Sequence, residues 1–95
     1  MESGSEEQLT HLERLAGELA SRGFTAELLG TGREPSVRAT NPDNAEFTER
    51  VLCRRADDGA WCFWWPWKQP IGSADDLTSV AAKIMTALRS VEGAS

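Results

Sequence analysis

The chain is poor in the residues that most chemistry requires. It has a single histidine, His11, and two cysteines, Cys53 and Cys62, nine positions apart with no CxxC pair. A structural zinc site takes four ligands at tight spacing, so no metal centre is expected. Nucleophilic catalysis needs a nucleophile, a base and a group to orient that base, and the one histidine lies in a helical segment far from any glycine elbow. Gly30-Thr31-Gly32-Arg33 lacks the Gly-Lys-Ser/Thr ending of a phosphate loop and reads as a turn. Asp57, Asp58, Asp75 and Asp76 each have a local role at a turn or a helix start, which leaves no paired carboxylates for acid–base work. No catalytic residue and no cofactor is expected.

Positive charge is also scarce. Ten basic residues stand against fifteen acidic ones, a net charge of −5. Binding to nucleic acid rests on many Lys and Arg contacts to phosphates, and anionic membrane surfaces attract the same residues, so neither is an expected partner. No apolar run approaches the roughly 18 residues of a membrane-crossing helix. Met1-Glu2-Ser3-Gly4-Ser5 lacks the basic and apolar regions of a signal peptide. A cytoplasmic location with reduced cysteines is the expectation.

What is present suits one folded domain of 95 residues, 40% apolar and 26% charged. The expected division is a disordered segment over 1–5, a domain over 6–92 and a tail over 93–95. Ser5-Glu6-Glu7-Gln8 matches a capping box. Leu9, Leu12, Leu15, Ala16, Leu19 and Ala20 then recur at helical spacing to Gly23, which predicts a first helix over about 6–22. This helix is the acidic part of the chain, whereas residues 21–72 balance seven acids with seven bases. Alternation predicts strands over 24–28, 36–40 and 47–55. Asp57-Asp58-Gly59 closes a hairpin into Trp61–Trp65, and Pro66 ends that strand. Residues 67–72 read as a loop, and Ser73 as the cap of a last helix carrying Leu77, Val80, Ala81, Ile84, Met85, Leu88 and Val91. The fold expected is α+β, in the order α-β-β-β-β-α, with a four-stranded antiparallel meander and both helices packed on one sheet face.

Five of the seven aromatic residues fall between positions 61 and 67. A three-residue hairpin loop, preferred because it puts Arg54 with the outer face, sets Cys53 opposite Phe63 and Val51 opposite Trp65, whereas a two-residue Asp58-Gly59 loop would align Leu52 with Trp65. One face then carries Val51, Cys53, Trp61, Phe63 and Trp65, and the other Leu52, Arg54, Cys62 and Trp64. The two thiols lie on opposite faces, which disfavours a disulfide. Two readings of the surplus tryptophans stay open. Either all the rings are buried, or Trp64, with Leu52, Arg54, Cys62 and Trp67, forms a contact surface for a protein partner or a second copy of the chain. The glycine–aromatic signature of RNA-binding sheets is absent. A different class of function is a small-ligand pocket, with or without a minor enzymatic activity, between the Trp67 loop and the last helix.

The run GAWCFWWPWKQPIGSADDL, residues 59–77, resembles small uncharacterised actinobacterial α+β proteins in which an aromatic strand, a proline loop and a terminal helix follow one another. The layout is similar to that of type III secretion chaperone-like domains, which implies a role in binding partner proteins. Those domains usually interrupt the sheet with an extra helix, and this chain has no segment that reads as one.

Overall fold

A computed structural model describes the backbone of residues 3–29 and 34–93 and the side chains of 6–29 and 34–88. Met1, Glu2, residues 30–33, which the sequence reads as a turn, and the last two residues lie outside the described residues. The order is α1 (Ser3–Ser21), β1 (Thr25–Leu29), β2 (Ser36–Asn41), β3 (Asn44–Arg55), β4 (Trp61–Trp64), β5 (Pro70–Ser73) and α2 (Leu77–Gly93).

Each helix has one apolar stripe and must bury it. Leu12, Leu15 and Leu19 of α1 and Val80, Ala81, Ile84 and Leu88 of α2 do so against Val37, Ala39, Val51, Cys53 and Phe63 of the sheet. These strand residues alternate along their strands, so they share one face. Both helices lie on that face and touch each other, α1 over β1 to β3 and α2 over β2, β3 and β5. The α+β architecture and the single helix-covered face are as the sequence predicts.

Gly23 closes α1 at φ +92°. Its N–H donates to Ala20 O, and the Phe24 N–H reaches back to Leu19 O at 3.0 Å. This pattern satisfies two of the last helical carbonyls and turns Phe24 into the core. The helix begins at Ser3, so Ser5 lies within its first turns; its side chain, the proposed cap, is outside the described set. Asp43 N–H donates to Asn41 Oδ1 at 2.8 Å in the turn between β2 and β3, as Asn-Pro-Asp-Asn suggests.

The sheet is antiparallel with strand order β1-β2-β3-β4-β5, a simple meander. It has five strands rather than four. Pro70–Ser73, read from sequence as loop, pairs with β4 through Cys62↔Ser73, Phe63↔Gly72 and Trp64↔Pro70. Proline and glycine are poor strand formers, so the segment has no intrinsic β signal. Tertiary partners hold it instead. Ile71 is buried, and the Lys83 ammonium of α2 donates to its carbonyl at 2.9 Å. The start of α2 also differs from expectation. Asp76 is the cap, its Oδ1 accepting from the Ser79 N–H at 3.3 Å, while Ser73 Oγ closes a local turn by accepting from the Asp75 N–H.

The β3–β4 hairpin has the expected register: Cys53 pairs with Phe63, Leu52 with Trp64 and Arg54 with Cys62. Ala56 and Ala60 close it through a 2.7 Å backbone bond. Gly59 takes φ +88°, the left-handed conformation that a type I turn followed by a bulge demands and that a side chain would strain.

The two cysteines are free and occupy opposite faces. Burial, followed by the nearby Cys62 and Glu34, pushes the Cys53 thiol up to about 12. Burial and then Asp58 raise Cys62 as well. Thiolate is the reactive form. An aromatic disulfide reagent at mildly alkaline pH is therefore expected to leave Cys53 unlabelled and Cys62 slow, until denaturant exposes both. Rapid release of two equivalents of thiol from native protein would contradict this placement.

Candidate functional site

Alternation along five paired strands builds the face opposite the helices. The ladder aligns Leu29 with Ser36, Ser36 with Leu52, Leu52 with Trp64 and Trp64 with Pro70. A row of mostly apolar side chains thus crosses β1 to β4, and a bulge between Phe63 and Trp64 brings Pro70 of β5 alongside Trp64 at its end. Leu29, Leu52 and Trp64 are half-buried, and Ser36, the small residue between two leucines, is 1% exposed. No described element covers this row. Five strands from distant parts of the chain place these residues side by side, so no short motif announces them.

Charged groups flank the row. On one side Arg38 pairs with Glu27 at 2.6 Å, and Arg50, opposite Arg38 in the register, makes no salt bridge among the described residues. On the other side Arg54 grips Glu34 with two bonds, Nε to Oε2 at 2.8 Å and Nη2 to Oε1 at 2.7 Å. A bidentate fork of this kind fixes both groups. The face is therefore close to charge balance, whereas the chain as a whole carries −5.

The Arg54 hydrogen bonds hold the Glu34 carboxyl below its ordinary value of 4.5, against partial burial and with help from the Arg54 charge. The folded pKa is depressed, so the pair's contribution to stability is complete above the ordinary value and is lost as pH falls below 4.5 through the folded value. The pair is partly solvent-exposed, and such pairs contribute about 1 kcal/mol or less. Glu34→Gln is expected to lower stability by that amount at neutral pH and by nothing in strong acid, as read from urea melts at the two pH values. A deficit of equal size at both would remove the ion pair as its cause.

Of the residues singled out from sequence, Leu52, Arg54, Cys62 and Trp64 come together on this face. Trp64 keeps one unmet demand: its indole N–H is buried without an acceptor among the described residues. Trp67 lies elsewhere. It is 57% exposed, the one large apolar side chain so exposed among the described residues. Its ring stacks on Trp65 at 5.3 Å with an interplanar angle of 5°, and Trp65 belongs to the core on the helix side. Leu29 and Pro70 complete the row and were not singled out from sequence, because their membership depends on β1 and β5 pairing.

The remaining aromatics serve the fold. Phe63 is fully buried. Trp61 pins the start of α1: its indole N–H donates to Glu7 at 2.9 Å, His11 packs against its ring at 5.7 Å, and the Arg55 guanidinium sits 4.9 Å over it. Among the described residues no three His, Cys, Asp or Glu side chains converge as metal ligands, and no helix is long and apolar enough to cross a membrane.

A scan against protein-family models and searches of curated proteins and of solved structures find no match to this chain.

Proposed function

We propose that the protein is a non-enzymatic protein-binding module whose open sheet face pairs with a second copy of the chain. The observation that carries this reading is the uncovered row Leu29–Ser36–Leu52–Trp64–Pro70. A sheet normally buries an apolar face against another layer, and no described element supplies a layer over this row. The charge pattern favours a like partner. Two acidic chains repel in general, yet this face pairs Glu27 and Glu34 with arginines, so the excess negative charge of the chain does not lie where two copies would meet. The unpaired indole donor of Trp64 adds to the case. A buried donor without an acceptor costs about 1–3 kcal/mol, and departures from good folding practice concentrate where a residue is kept for another purpose.

The test is absolute mass by light scattering over a concentration series, at low and at moderate salt. A rise from one chain mass to two supports the reading. A single chain mass at every concentration overturns self-association and makes a foreign protein the occupant of the face.

A further inference from the structure

On the helix side of the sheet, away from the open face, a cleft of about 480 Å³ separates the Trp65–Gln69 turn from α2. That volume lies within the roughly 300–1,000 Å³ of small-molecule sites. Phe47, Trp65 and Trp67 supply aromatic lining and Leu88 an aliphatic one, while Glu46 and Glu49 bring two carboxylates. No lysine or arginine is among the described lining residues, and neither glutamate forms a salt bridge with any described residue. Glu49 is the more telling of the two. It pairs with Ala39 in the register and so sits on the core-facing side of β3, half-buried and without a counterion.

Trp67 is exposed yet held. The Trp65 stack fixes its plane, its indole N–H donates to Gln69 Oε1 at 2.9 Å, and the next residue, Lys68, adopts φ +67° to make the turn. A left-handed conformation at a lysine is strained. The turn is closed by Trp65 N–H to Gln69 O at 2.8 Å and Lys68 N–H to Trp65 O at 3.0 Å. These restraints present a large ring at the mouth of the cleft at a cost to the fold.

From this combination we infer that the cleft binds a small organic cation, of the quaternary ammonium class. Ring faces attract such cations through their quadrupole, tryptophan most strongly. Two uncompensated carboxylates add Coulombic attraction at the same place. A neutral apolar occupant would desolvate those carboxylates without replacing their water, and an anion would be repelled. The cleft shares no residue with the open sheet row, so this inference stands or falls separately from self-association.

The test is a calorimetric titration of the full chain with choline, set against its uncharged isostere 3,3-dimethylbutan-1-ol. Tryptophan fluorescence is the second readout. Saturable choline binding is expected, with the isostere weaker by about tenfold. Trp67→Ala is expected to weaken choline by a similar factor, and Glu49→Gln to weaken it several-fold and to flatten its salt dependence. Trp67 and Glu49 are not fully buried, so both variants should keep the wild-type circular dichroism and melting temperature. Absence of choline binding, equal binding of the isostere, or full binding by folded Trp67→Ala would each overturn the inference.

Discussion

Phe63→Ala is expected to remove about 3–5 kcal/mol of folding stability, the range for deleting a buried aromatic ring. Phe63 is the largest of the fully buried side chains. It stands at the centre of β4, paired with Cys53 on one side and Gly72 on the other. Neither neighbour is large enough to fill the space its ring would leave. A domain of this size has a total stability of about 5–15 kcal/mol. The variant should therefore unfold at a much lower urea concentration, with an unchanged slope if the transition stays two-state. Phe63→Leu keeps most of the volume and should lose less than half as much. A loss below about 1 kcal/mol for the alanine variant would mean that the ring is not in the core, and the hairpin register would have to shift by one residue.

Trp64→Ala, one position along the same strand, should act on association instead. A tryptophan anchor at the centre of an interface is typically worth at least about 2 kcal/mol. In a two-fold pairing the same patch serves on both copies, so each substitution counts twice. The expected loss is about 4 kcal/mol, or about three orders of magnitude in the dimer dissociation constant. Monomer stability should change far less than in Phe63→Ala, because Trp64 is only half-buried and its indole N–H makes no bond that the substitution would break. Light scattering and urea melts on the same sample separate the outcomes. A folded variant that associates like the wild type removes the open face as the interface. A variant that does not fold shows Trp64 to be structural, and Leu52→Glu then tests the same row from the neighbouring strand.

The two substitutions behave differently because adjacent strand residues point to opposite sides of a sheet. That alternation was legible in the sequence. The hairpin register was open between a three-residue Asp57-Asp58-Gly59 loop and a two-residue Asp58-Gly59 loop, and the pairing of Cys53 with Phe63 and of Leu52 with Trp64 selects the first. The stripes of α1 and α2 were equally legible, since an amphipathic helix states its buried face in its own spacing. These are local properties, decided within about ten residues of chain, and they determine the class of fold and the burial of most large side chains.

What lay beyond the sequence depends on partners far apart along it. β5 exists because β4 and Lys83 hold Pro70–Ser73 in place, not because those residues favour a strand. The grip of Arg54 on Glu34 joins residues 20 positions apart, and the bond from Trp61 to Glu7 spans 54. The row from Leu29 to Pro70 is formed only when all five strands align. Trp67 and Trp64, three positions apart, belong to different sides because the Trp65–Gln69 turn carries Trp67 back onto Trp65. Local chemistry determined which residues have a buried and an open side; only long-range pairing decided which of them share a surface, because neighbours in a sheet are chosen by the register of whole strands rather than by proximity along the chain.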